Sequence, residues 1–361
     1  MLVRLRNEPL FVSVNPTLPT NPKGRNPMQP HHLRPLGRAF RPIPISLGLL
    51  ALLGSSLGLA SLGVAAEQTV PANPPARSGQ PPAGPRAGLP PFPVPGNKHA
   101  SFKEGLPTFW IVGDSTAKNG RDDGSEGGRW GWGHEIDRYF DLGKINVENQ
   151  ALGGTSSRDF ITRGHWEKVL AQVQPGDFVV IQFGANDGGG KIDDQRARKS
   201  IDGNGDEAQH VKLTTGKEED VHSYGWYIRK YIQDTQAKGA TAIVCSLIPR
   251  DDWKDGKIVP AQDDSYVLWA GQAAQQAGAF YINMNHVICD QLNVIGEKLT
   301  KGTLYRADDH THTTLLGAQL NARCVVMGVK GLAPGLKLGG FLSITAEPVD
   351  PAPAENIAGP K

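Results

Sequence analysis

A chain of 361 residues has room for two domains, but its ends lack the composition to fold into a core. Basic and acidic residues nearly cancel, 38 against 36, giving a net charge of +2. The first 66 residues hold seven basic groups and one acidic group, so the chain without them sits near −4 and its charge gives no reason to expect a nucleic-acid partner.

In chain order, residues 1–41 are basic and residues 43–66 are an uncharged, apolar and small-residue run ending in Val64-Ala65-Ala66. That succession reads as a secretory signal peptide over 1–66, with Met28 as a second possible start, and it predicts a secreted or periplasmic product. The competing reading is an uncleaved signal anchor, since the run is long enough to span a bilayer. Its many Gly, Ser and Ala residues weaken that reading, so a membrane association follows only from an uncleaved leader. Residues 67–100 are rich in Pro, Ala and Gly and read as an extended linker. The folded domain is expected over 101–345, with 346–361 as a disordered tail.

Within the domain, apolar strand-like runs alternate with helix-length segments. Phe109-Trp110-Ile111-Val112 predicts a strand covered on both faces. Further strands are expected at 145–149, 178–183, 241–247 and 280–284. Helices are expected over 132–140, 166–173, 224–238, 264–277 and from Thr313 to about Met327. Strict alternation predicts a three-layer α/β/α fold around a central five-stranded parallel sheet. Residues 188–220 are too long and polar for an ordinary connection, and long loops at strand ends usually shape a cleft. Within them, Asp202-Gly203-Asn204-Gly205-Asp206 resembles half a calcium loop, but Glu207 and Leu213 stand where such loops need Gly and Glu. Cys245 lies in a strand-like run and reads as a buried thiol. Cys289 with Cys324 is the one candidate disulfide.

Four polar blocks follow the strands: Gly113-Asp114-Ser115-Thr116, Gly153-Gly154-Thr155-Ser156, Gly184-Ala185-Asn186-Asp187, and Asp308-Asp309-His310-Thr311-His312 before the last helix. Each alone is an ordinary turn or helix cap. Together they supply what a serine esterase needs. A hydroxyl (Ser115) becomes nucleophilic when an imidazole (His312) takes its proton, and a carboxylate (Asp309) fixes that imidazole. Backbone N–H groups and a side-chain amide (Asn186) can hold an oxyanion, and Gly154 permits close approach. Asp309 and His312, three apart, are expected in a loop or first helical turn.

These blocks resemble those of the SGNH (GDSL) hydrolases. Asp309-His310-Thr311-His312-Thr313, Val221-His222-Ser223-Tyr224-Gly225-Trp226 and Ser246-Leu247-Ile248-Pro249-Arg250 are similar to rhamnogalacturonan acetylesterases in particular. The resemblance spans about 107–331. It implies a flavodoxin-like fold with Ser115 as nucleophile, His312 as base and Asp309 as its partner. The N–H groups of Ser115 and Gly154 with the Asn186 amide would form the oxyanion hole, with no metal or cofactor. Asp308 and His310 lack the three-residue spacing. Ala185 departs from the pattern, since pectin-acting relatives often carry His there, whereas Thr116 matches the acetylesterase branch. The expected substrate is an acetylated polysaccharide, with Trp130, Trp132, Trp226 and Trp253 as candidate sugar contacts or core residues, and the expected state is a monomer. A short-chain lipase of the same fold and a non-catalytic carbohydrate-binding protein are the alternatives.

Overall fold

The computed structural model describes residues 102–120, 128–261 and 265–360. The leader and linker readings fall outside these residues. Strand β1 (Thr108–Gly113) is buried throughout, and its side chains alternate between two cores. Phe109 and Ile111 face one, Trp110 and Val112 the other, the two-residue period expected of a strand covered on both sides.

Where a helix was expected over 132–140, the chain makes two 3₁₀ turns, Trp132–His134 and Asp137–Tyr139. Trp132, Gly133 and His134 are all buried, and only Asp137 and Arg138 of the span reach solvent, too narrow a polar side for an amphipathic helix. Strand β2 (Asn146–Asn149) is followed by helices α1 (Ser157–Thr162) and α2 (His165–Leu170). Ser156 and Asp159 cap α1 reciprocally, which satisfies two N–H groups at its start. After β3 (Phe178–Gln182), the long polar segment folds into a hairpin of β4 (Ala208–Lys212) and β5 (Glu218–His222).

Helix α3 (Tyr224–Ala237) is capped by Ser223 and leads to β6 (Thr241–Cys245). A small ribbon, β7 (Trp253–Lys254) with β8 (Lys257–Ile258), precedes α4 (Tyr266–Gln276) and β9 (Phe280–Ile282). Helix α5 (Met284–Ile295), capped by Asn283, was missed, although its buried Met284, Val287, Ile288 and Leu292 have helical spacing. Helix α6 (Glu297–Thr300), the ribbon β10 (Tyr305–Arg306) with β11 (Asp309–Thr313), and α7 (Leu315–Gly331) follow. Strand β12 (Ile357–Ala358) ends the fold.

The main sheet has the order β12-β9-β6-β3-β1-β2. The five strands from β9 to β2 are parallel, as expected, and β12 adds a sixth, antiparallel to β9. Core residues of α5 and α7 cover one face and those of α1 to α4 the other, giving a three-layer α/β/α fold. Two expectations are corrected here. Residues 347–360 are ordered: Val349, Ala352 and Asn356 are buried and Ile357–Ala358 pair with the sheet. Cys289 and Cys324 are free thiols, as is Cys245, and all three are buried. Among the described residues, no helix is long and apolar enough to cross a membrane.

Candidate active site

Ser115 stands just past the carboxyl end of β1, in a turn shaped by its neighbour. The Asp114 carboxylate accepts from the Thr116 N–H and Thr116 hydroxyl, both at 2.8 Å, while the Asp114 carbonyl accepts from the Ala117 and Lys118 N–H groups. With its own backbone engaged by Thr116, Ala117 and Lys118, the turn leaves Ser115 half-buried at its outer side. Burial pushes the Asp114 carboxyl up, against the hydrogen bonds from Thr116.

The second and third blocks lock onto this turn. Leu152 N–H donates to the Gly113 carbonyl at 2.9 Å, and the Thr155 hydroxyl donates to the Leu152 carbonyl at 2.8 Å. Between them Gly154 has a φ of +76°, a left-handed conformation that favours glycine. The Asn186 amide Nδ2 donates to the Thr155 carbonyl at 2.9 Å, and Arg198 Nη1 donates to Asn186 Oδ1 at 2.9 Å. Next to it Asp187 is fully buried and accepts from the Ser157 N–H at 3.2 Å and from the Ser157 hydroxyl.

The fourth block arrives on strand β11, and not on a helical turn as expected. The chain from Trp130 to Gly133 bridges it to the serine turn. Trp130 exchanges hydrogen bonds with Thr313, and Gly131, Trp132 and Gly133 donate to the carbonyls of Lys118, Thr116 and Ala117. This places His312 Nε2 2.8 Å from Ser115 Oγ, and His312 Nδ1 2.6 Å from Asp309 Oδ2. Asp309 Oδ1 accepts from the Thr311 and His312 N–H groups at 2.9 and 3.2 Å. Burial raises the Asp309 carboxyl, but these bonds and the nearby imidazole outweigh it and hold it at about 2. Arg129, which the sequence reading did not single out, lies 3.4 Å from the same Asp309 oxygen that meets the imidazole.

The neighbouring candidates point elsewhere. His310 pairs with Asp252 at 2.9 Å, and Asp308 pairs with Arg306 at 2.8 Å. In the calcium-like segment, Asp206 is paired with Arg229, Asn204 accepts from Arg229 at 2.7 Å, and Asp202 accepts from Tyr266 at 2.8 Å, so protein donors hold those oxygens. Of the four tryptophans, Trp132 is core and donates to Gln182 at 2.9 Å, and Trp130 is buried. Trp226 and Trp253 are half-buried, the former stacked on His222 at 3.7 Å between ring centroids.

A three-layer fold with a hydroxyl, an imidazole and a carboxylate in one hydrogen-bonded line has the parts of a hydrolase that works through a serine. Residues 111–320 match the GDSL-like lipase/acylhydrolase family, well over half of the chain, and the chain belongs to that family. It is 30% identical over 238 residues to a rhamnogalacturonan acetylesterase of Emericella nidulans, covering 66% of this chain and 90% of that protein. It is 26% identical over 227 residues to a Bacillus subtilis protein named "probable rhamnogalacturonan acetylesterase", covering 62% and 93%. Among solved structures, the Bacillus subtilis protein YxiM aligns with a TM-score of 0.51 and 25% identity, over 62% of this chain and 56% of that one.

Proposed function

We propose that the protein is a secreted serine esterase that removes acetyl groups from plant cell-wall polysaccharide, rhamnogalacturonan in particular, through an acetyl-serine intermediate. The observation that carries the serine chemistry is the continuous line from Ser115 through His312 to Asp309. In this reading His312 Nε2 accepts the Ser115 proton as the hydroxyl oxygen attacks the acetyl carbonyl. Asp309, ionised at working pH, holds the Nδ1 proton and stabilises the imidazolium. The carbonyl oxygen becomes an oxyanion facing the N–H groups of Ser115 and Gly154 and the Asn186 amide. Collapse expels the sugar oxygen, which takes the proton from His312. Water, deprotonated by the same imidazole, then attacks the acetyl-serine and releases acetate.

The acetyl and rhamnogalacturonan parts of the reading rest on the two relatives that bear those names. Secretion rests on the leader pattern of residues 1–66. The test is acetate release from acetylated rhamnogalacturonan and acetylated xylan, beside p-nitrophenyl esters of rising chain length. Ser115→Ala is expected to lower kcat on the order of 10⁴-fold or more. Acetyl esters should outpace octanoyl esters, and rhamnogalacturonan should outpace xylan. Wild-type rates in Ser115→Ala would sink the nucleophile assignment, and equal acetyl and octanoyl rates would sink the acetyl reading. The N-terminal mass of protein recovered from the medium checks secretion.

A further inference from the structure

We propose that Arg198 is a positioning residue for the reaction, holding the Asn186 amide in the orientation that presents its free N–H to the oxyanion. The proposal rests on the assignment of Asn186 to the oxyanion hole. An Asn amide has one acceptor oxygen and two N–H donors, and rotation by half a turn would exchange them. Here the Oδ1 end is claimed by a donor that cannot accept, Arg198 Nη1 at 2.9 Å, and one N–H is spent on the Thr155 carbonyl at 2.9 Å. The flipped amide would set its NH₂ against a guanidinium and its oxygen against a carbonyl. One N–H therefore remains, and its direction is fixed. A charged donor on the amide oxygen also polarises the group, so the remaining N–H becomes a stronger donor.

The surroundings of Arg198 fit this task. It is half-buried, its Nε has no hydrogen-bond partner, and among the described residues no carboxylate forms an ion pair with it. Burial and Arg196 work against its charge, and Asp159, Asp194 and Asp187 offset part of that from beyond ion-pair distance. Among the described residues its one hydrogen-bonded side-chain partner is the Asn186 amide oxygen. The preceding chain is bent to deliver it. Asp194 accepts from the Arg196 and Ala197 N–H groups, both at 2.9 Å, and Ala197 has a φ of +51°, a backbone conformation strained for any residue with a Cβ. On either side, the buried Arg158 donates to the carbonyls of Ile192 and Lys199 at 2.8 and 2.6 Å, pinning the loop.

A double-mutant cycle on p-nitrophenyl acetate reads the coupling. Arg198→Met is expected to lower kcat by roughly 10- to 100-fold with KM changed less than about threefold, because a misdirected donor is lost only in the transition state. Arg198→Lys, which keeps charge without the planar fork, should fall between the two. In an Asn186→Ala background the same Arg198→Met change should cost less than about threefold, since no amide is left to orient. A full additional loss there, with Asn186→Ala itself impaired, overturns the positioning role. Wild-type kcat in Asn186→Ala overturns the oxyanion assignment beneath it. Loss confined to KM would overturn the proposal by making Arg198 a substrate contact. Circular dichroism melting of every variant separates these outcomes from unfolding.

Discussion

Asp187 follows Asn186 in the chain but meets a different environment. Its carboxyl is fully buried, and desolvation pushes it up to about 7 against the hydrogen bonds from Ser157, with Asp114 and Asp159 acting in the same direction as burial. In the unfolded chain the same group ionises near roughly pH 4. Between about pH 4 and 7 the folded state thus holds a proton that the unfolded state has shed, so stability falls as pH rises through that window and levels off above it. Asp187→Asn cannot titrate and keeps an acceptor for Ser157. Its melting temperature relative to wild type should therefore rise from pH 4 to pH 7 and stay constant beyond. A difference that is flat over the window would show that Asp187 is ionised in the folded protein. Asp309 is the opposite case: held at about 2, it contributes stability above pH 4 that is lost as pH falls toward 2. The candidates Ser115, Gly154, Asn186, Asp309 and His312 could be singled out beforehand because each sits in a short block with its own spacing, and the structure brings Ser115, His312 and Asp309 into one hydrogen-bonded line. Arg198 was not, since one arginine among Arg196, Arg198 and Lys199 in a polar loop has no spacing to distinguish it.

At the level of elements, the same limits recur. Strands with four or more apolar residues could be placed to within a few positions, because burial on both faces leaves a continuous run. The segment from Trp130 to His134 could not, because its form is set by bonds to the serine turn and to Thr313, which are distant in sequence. The hairpin of β4 and β5 was hidden for a related reason, since four of the five β4 residues are exposed. Its anchors, a small apolar cluster of Val211, Leu213 and Val221 with Ala197 and the ion pairs of Glu219, lie on distant or isolated residues. Arg158 on α1 is fully buried and donates to Glu219 on β5, with Lys217 adding a second cation to that carboxylate at 3.0 Å. Replacing Glu219 by Gln leaves the Arg158 charge buried without its counter-charge, which should cost about 3–5 kcal/mol. Urea denaturation measures it. The paired change Arg158→Met with Glu219→Met should recover only part of that loss, because the matched apolar pair has no charge to desolvate but the Ile192 and Lys199 carbonyls lose their donor. A loss below about 1 kcal/mol in Glu219→Gln would mean that water solvates the guanidinium there.

On the scale of the whole molecule, five strands and their parallel order followed from the alternation of apolar runs, but the sixth strand did not. Residues 347–361 are rich in Pro, Ala and acidic groups and look unable to bury a core. Up to residue 360 they are ordered by what they cover. Ala352 N–H donates to the Met327 carbonyl at 2.7 Å, and the Asn356 carbonyl accepts from Asn283 N–H at 2.8 Å. Ile357 and Ala358 then pair with Ile282 and Tyr281 along the outer edge of β9. Removing residues 348–361 would uncover that edge and expose core around Val349, whose burial alone is worth about 1.5–3 kcal/mol. The melting temperature should fall on the order of 5–10 °C for a domain of this size. The bare β9 edge should also promote concentration-dependent association, visible by size-exclusion chromatography. The site is carried by the ends of β1, β2 and β3 and by β11, away from that edge, so kcat on p-nitrophenyl acetate per folded molecule should be unchanged at low temperature. Loss of kcat without loss of stability would mean that the terminal segment reaches the site. An unchanged melting temperature would mean that β12 covers the sheet without holding it together.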